Sequence, residues 1–297
     1  MVDYGSQLAS KEIKKEVIRK IIYHMADMIS VGTKVVGTTN LDALDVKFNY
    51  PSEMTAKYPV GDTAVAPRET ITWSEFKAAL AKGQVHYMIT DVAKLRAVAG
   101  TQNTIMARRA SEAMAKQIDE EILDVLHGGA GESVAAGGVW TSASTDIEAD
   151  VVSAWNKLLE TSNVTEQELM RGVSLVVPVE AFKYINKLTL IGNVQQTLRA
   201  YLKTVYNMNI FVTRSEQLGT SASTDALMLV PGGMTAQHGV LSAGAARAAN
   251  VPLVERERII GSGDDYLVSR WWKTIIIEDG SASGQTDRIV KITDVCT

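Results

Sequence analysis

IMARRASEAMAKQIDEEILDVLHGG, residues 105–129, is the stretch from which the architecture is read. Met106, Ala110, Met114, Ile118, Ile122 and Leu126 recur every four residues, which lays one apolar stripe along a helix. Arg108, Glu112, Lys116 and Glu120 keep the same spacing on another face and alternate in sign, so neighbours one turn apart attract. Gly128 and Gly129 supply the stop signal. The spacing predicts a helix over 105–126, roughly 33 Å long at 1.5 Å per residue. A single stripe on so long a helix suits a structural spine.

Upstream of it the period changes from four to two. Leu44, Val46, Phe48 and Tyr50 alternate with Asp45, Lys47 and Asn49, the pattern of a strand. PSEMTAKYPVGDTAVAPRET (51–70) follows, where Pro51, Pro59, Gly61 and Pro67 interrupt regular structure. A second extended run starts near Ile71 and continues, interrupted, to Ile89. Together they predict a long hairpin with an irregular tip. A two-stranded ribbon is marginal alone in water, so a neighbouring subunit is the simplest support.

Before the hairpin, a helix from Ser10 to about Ile29 is expected. Ile13, Val17, Ile21, Met25 and Met28 form its apolar stripe, and Lys11, Lys14, Lys15, Arg19 and Lys20 its basic face. That face reads as an ordinary solvated surface, with an arm toward nucleic acid or an acidic partner as the sharper alternative.

Downstream, AGESVAAGGVWTSASTD (130–146) reads as a loop or domain boundary. Helices are expected over 147–160 and 195–206. SLVVPVEAFKYINKL predicts a buried strand, a break at Pro178 and a short helix; NIFVT and DALMLV read as further strands. Alternating elements argue for an α/β or α+β unit. In VPLVERERIIG, Glu255 and Glu257 alternate with Arg256 and Arg258, so both faces of a strand are charged; such a strand is exposed or meets charged partners across a subunit boundary. Trp271 and Trp272 are adjacent, which places them on opposite faces of a strand covered on both sides.

The chain has 297 residues and a formal net charge of −4, which argues against a dedicated nucleic-acid binder but not against a container for nucleic acid. Length allows about two domains. Its single cysteine, Cys296, excludes an intrachain disulfide. The N-terminal stretch lacks the apolar core of a signal peptide, and no apolar run is long enough to span a bilayer. A cytosolic protein without membrane attachment is expected.

Catalytic motifs are not found. GGAGES lacks the Gly-Lys-Ser/Thr ending of a phosphate loop, and GSGDDY has Tyr266 where a dinucleotide fingerprint needs glycine. His24, His86, His127 and His238 are scattered without metal-ligand spacing. Asp264 and Asp265 read as a turn in preference to an acid–base pair, and Asn163-Val-Thr165 as a chance sequon.

The order of elements resembles the tailed-virus major capsid proteins of the Hong Kong 97 type: an arm, an extended hairpin, a long helix ending DEEILDVLHGG, an inserted α/β unit, and a return in strands ending TIIIEDG. The resemblance implies an α+β fold divided as N-terminal arm (1–40), E-loop hairpin (41–90), peripheral domain with spine helix (91–149), axial domain (150–245) and peripheral return strands (246–297). It implies a non-enzymatic shell subunit that assembles with itself into pentamers and hexamers around a genome, in the virion after assembly in host cytoplasm. Scaffold, portal or decoration proteins are implied as further partners, with nucleic acid enclosed without sequence-specific binding. Family members with a long N-terminal scaffolding segment have more chain before the hairpin, so a mature form, or a member with a separate scaffold or none, is expected. Some members join a hairpin lysine to an asparagine; Lys57 could serve as the lysine, but ERERIIGSGDDY holds no asparagine, so no such link is expected.

The candidate intersubunit contacts are Lys57, Arg68 and Glu69 at the hairpin tip and Glu255, Arg256, Glu257 and Arg258 in the tail. No catalytic, cofactor-binding or metal-binding residue is expected, and no cofactor. Two rival readings stay open. An encapsulin-like shell enclosing a cargo enzyme shares the fold, and the basic N-terminal helix favours it. An α/β enzyme with dispersed catalytic residues would instead be a monomer or small oligomer with a deep polar pocket.

Overall fold

The computed structural model describes residues 4–51, 73–92, 101–142, 145–160, 164–191, 194–214, 225–248, 253–259, 262–277 and 285–296. The predicted spine is helix α3 (Thr101–Gly128). Ala110 in its stripe is 4% exposed, and Met114, Ile118, Ile122 and Leu126 are fully buried, while Arg108, Lys116 and Glu120 face solvent. Arg108 Nε lies 3.2 Å from Glu112, one turn on.

The hairpin forms from β2 (Asp45–Pro51) and β3 (Trp73–Ala79), antiparallel in continuous register from Asp45 opposite Ala79 to Pro51 opposite Trp73. Its tip, with Lys57, Arg68 and Glu69, lies outside the described residues. The interrupted second run is explained by Leu80, whose N–H donates to the Leu44 carbonyl before the chain leaves the hairpin. It then enters β4 (Ala81–Thr90) of a different sheet.

That sheet also contains β1 (Val36–Leu41), β11 (Gly232–Leu241), β12 (Val254–Ile259) and β13 (Gly263–Ile276). The 14-residue β13 is its axis: β12 and then β11 pair along one edge, and β4 pairs along the other from Gly263–Thr90 to Trp272–Ala81. Two glycines make these pairings possible. A Cβ on Gly83 would sit 1.7 Å from the Trp272 indole. Gly263 has φ +151°, and a Cβ there would lie 2.2 Å from the Ile89 carbonyl oxygen.

The second sheet runs β5 (Ala130–Ala135), β14 (Thr286–Thr293), β10 (Ala226–Leu229), β6 (Val173–Pro178) and β9 (Met208–Thr213). Every residue of β6 and β10 is buried. Leu175 and Val177 join one core with helices α4 (Ile147–Glu160), α5 (Glu166–Arg171), α6 (Val179–Ile185) and α7 (Leu198–Tyr206). Val176, Leu227, Leu229 and Ile289 belong instead to the buried cluster that contains α3. The central strands are thus covered on both faces, and their sequences are continuous apolar runs for that reason.

Several expectations are corrected. Residues 130–135 are not loop: β5 pairs in parallel with β14, and the small residues of AGESVA fit a strand at the sheet edge. Asp264 and Asp265 lie within β13 and not in a turn. The predicted helix over 195–206 starts at Leu198, because 194–197 pair as β8 with β7 (Leu188–Ile191) and Thr197 caps the helix through its side chain. The tail is strand, as expected: β12 and β13 lie in the first sheet and β14 in the second.

Helix α1 spans Tyr4–Ile29 and the short α2 spans Gly32–Val35. Its inward face is not the expected one. Ile22 and Ala26 are fully buried with Ile18 beside them, whereas Val17, Ile21 and Met28 are 49%, 40% and 62% exposed. The stripe named from the sequence is real at helical spacing, but the helix is apolar on two sides and packs with the other. Trp271 and Trp272 do face opposite ways: Trp272 joins the large cluster, and Trp271 a small one with Leu80, Ala243 and Ala245.

Candidate subunit-interface surfaces

Polar links hold α1 and α3 on the first sheet. Arg270, on the inner face of β13, makes two bonds to the Asp27 carboxylate at 2.7 and 3.1 Å and lies over the Tyr23 ring. The Tyr23 hydroxyl donates to the Ser269 carbonyl, and burial pushes its pKa up to about 12. At the end of α1, Ser30 Oγ and the Gly32 N–H both donate to the buried Asp119 of α3, at 2.5 and 2.8 Å. Burial raises the Asp119 carboxyl above its usual range despite those bonds.

On the same seam the Thr274 hydroxyl donates to Glu121, so His238 Nδ1, 3.0 Å from that oxygen, must carry a proton and donate to it. His238 is fully buried; burial first and Arg270 second lower its pKa to about 3. It is a neutral core histidine. His86 bonds Asp265 at 2.7 Å and His127 bonds Asp225 at 2.9 Å. Among the described residues no three His, Cys, Asp or Glu side chains are grouped to hold a metal. Cys296 is buried, which raises its thiol pKa.

The charged tail strand divides into two faces. Arg256 bonds Asp264 at 2.9 Å and lies over the Tyr266 ring; Arg258 grips Asp91 through two bonds at 2.6 and 2.7 Å and lies 3.6 Å from Asp264. Both arginines are therefore committed within the chain. The other face of β12 carries Glu255, Glu257 and Ile259, all exposed. Glu257 stands opposite Asp265 in the ladder, a like-charge pair that weakens a sheet. The alternation in the sequence places the glutamates on one face of this strand and the arginines on the other, as found; what it does not give is that the arginine face is paired within the chain, because Asp91, which pairs Arg258, lies 167 positions away.

Other surfaces are apolar without cover among the described residues. They comprise the outer stripe of α1, Met88 and Val92 at the end of β4, and Ile105 at the start of α3, which is 53% exposed. An opening of about 500 Å³ near Gly137 and Asp150 is lined by eight residues including Asp146 and Ser142. Its Asp150 carboxylate is occupied by the Gly137 N–H and the Trp140 indole N–H, at 2.9 and 2.8 Å. This is structural cross-linking between a loop and α4. No helix among the described residues is long and apolar enough to cross a membrane.

No family model matches the sequence, and no curated protein sequence matches it. Solved structures do match in shape. A virus-like particle from Pyrococcus furiosus aligns at a TM-score of 0.59 and 13% identity over 93% of this chain and 98% of its own. The chain of Mycobacterium phage Cain aligns at 0.59 and 13% identity over 91% and 94%. The capsid of a native GTA particle aligns at 0.58 and 11% identity over 88% and 89%.

Proposed function

We propose that this chain, which has the Hong Kong 97-type fold of those assemblies, is a major capsid subunit that builds a closed icosahedral shell around a viral genome. The carrying observation is a fold shared end to end with phage-capsid and virus-like-particle chains, at coverages near nine-tenths on both sides. The hairpin β2–β3 supports the same reading: among the described residues its two strands pair only with each other, outside the two five-stranded sheets.

In this reading assembly is the function and no turnover is needed. The first sheet with α1 and α3 is the peripheral platform, and the second sheet with α4–α7 is the axial body. The boundaries then follow sheet membership, so that β5 and β14 go with the axial body and β11 with the platform. Lys57, Arg68 and Glu69 at the hairpin tip, and the outward charges of Glu255 to Arg258, are contacts to neighbouring copies. Scaffold, portal or decoration proteins are further partners, and the chain resides in the virion after assembly in the host cytoplasm. Interfaces of this kind must be broad and repeated.

Negative-stain microscopy of the purified chain, with absorbance at 260 and 280 nm on the same fraction, tests it. Closed shells rich in nucleic acid are expected. Closed shells with co-purifying protein and no nucleic acid would favour the cargo-enclosing rival, which the near-complete coverage of the Pyrococcus furiosus particle chain keeps in view. Monomers at high concentration across salt conditions would overturn both.

A further inference from the structure

We infer that the outward face of β4, β12 and β13 is the seat for helix α1 of a neighbouring copy; this rests on the shell reading. Glu255, Glu257 and Asp265 share that face, with Met88 and Ile259 exposed among them at 42% and 40%. Residues 84–90 and 263–267 contain no lysine or arginine, and both arginines of β12 are drawn to its other face by Asp91 and Asp264. His86 on this face lies 2.7 Å from Asp265, and Lys82 and Lys273 lie farther along the same face, Lys82 over the Trp271 ring. The end of the face at β12 is therefore acidic with an apolar centre.

The outward face of α1 is its counterpart. Val17 and Ile21 lie one turn apart and exposed, with Lys20 beside them at 70% side-chain exposure. Lys11 and Lys14 precede them in the sequence. An apolar stripe beside an exposed lysine, in a helix whose preceding turn is lysine-rich in sequence, fits an apolar strip edged by carboxylates, in charge and in hydrophobicity together. Neither surface can satisfy the other within one copy, because α1 is fixed against the opposite face of the same sheet by Arg270, Asp27 and Tyr23. The contact is thus head to tail: each copy gives a helix and receives one, and such contacts form rings where the rotation between copies closes.

The experiment compares three full-length chains by sucrose-gradient sedimentation and microscopy, with circular dichroism melting as the fold control. Wild type is expected to form shells. Glu255→Lys with Glu257→Lys is expected to melt as wild type does but to lose the shells. Adding Lys14→Glu and Lys20→Glu to that double variant is expected to restore them. Wild-type shells together with an unaffected double variant would overturn the inference and leave the shell reading standing. So would a double variant, folded or not, that the second pair of changes fails to rescue. A wild type without shells would overturn the shell reading, and the inference with it.

Discussion

The two sheets are built from the same kinds of residue and finished differently. In the second sheet β6 and β10 are buried along their whole length, and their neighbours cover both faces. In the first, β4 and β12 bury one residue each, Ile89 and Val254, and are otherwise half-buried or exposed, and the helices are held by Arg270–Asp27, Ser30–Asp119 and Thr274–Glu121. An apolar core closed on both faces is complete within one chain. A half-covered sheet pinned by specific polar links, with apolar and acidic surface left over, is a part awaiting its neighbours. On the shell reading, the difference teaches where self-sufficiency ends: the second sheet closes its own core, and the outer faces of the first are the surfaces left for neighbouring copies.

The contrast would be sharpened first by cavities. Leu175→Ala in β6 and Ile22→Ala in α1 each remove a fully buried side chain, and each is expected to cost about 2–5 kcal/mol. Hydrogen exchange should localise the first loss to the second sheet and the second loss to α1 and its seam with α3. A Leu175 cavity that loosened α1 equally would break the comparison, since the two bodies would then respond as one.

Asp27→Asn comes next. It leaves the Arg270 guanidinium, 5% exposed, without its carboxylate. Asp27 is itself 44% exposed, so water recovers part of the loss, and about 1–3 kcal/mol is expected in denaturant unfolding. Faster exchange in α1 with no change in β6 and β10 would accompany it.

Acid should act on the first body as well. His238 is held near pKa 3 when folded, against 6.5 when free, so the unfolded chain binds the extra proton between those values. Its contribution is present above pH 6.5 and is lost as pH falls toward about 3. Glu16, lowered from 4.5 to about 2 chiefly by its bond to Arg19, adds a loss over that lower window. Asp119 has the opposite sign: its carboxyl is raised, so protonation on acidification favours the folded state. His238→Gln is expected to flatten the melting temperature between pH 6.5 and 4. An unchanged slope in that variant would show that another group drives the acid response.

What was legible in the sequence follows the same division. The stripe of α3, the alternation of β2 and the apolar runs of β6 and β10 each state one local period, and each appears where that period placed it. Residues 232–241 and 36–41 carry little period because β11 and β1 are held by partners distant in sequence, Gly37 opposite Gln237 among them. The capping box of Thr165 and Glu168 was readable from its spacing and was passed over beside a glycosylation sequon. The candidate contacts in ERER were visible as charges, but which charges remain outward depends on Asp91 and Asp264, and only the tertiary register decides that.

The smallest effect on stability is expected at Ile21, and it is the most informative about the helix that sequence periodicity turned the wrong way. Ile21 and Ile22 are adjacent and chemically identical, yet one is 40% exposed and the other fully buried. Ile21→Ser removes a side chain that folding hides only in part, so the unfolding free energy of the unassembled chain should fall by about 1 kcal/mol. If α1 docks on a neighbour through Val17 and Ile21, the same change raises the concentration needed for shells, since the apolar surface is then buried only on assembly. A folded Ile21→Ser chain that assembles at the wild-type concentration would mean that this face stays in water in the finished particle, and that the helix owes its second apolar stripe to something other than a neighbouring copy.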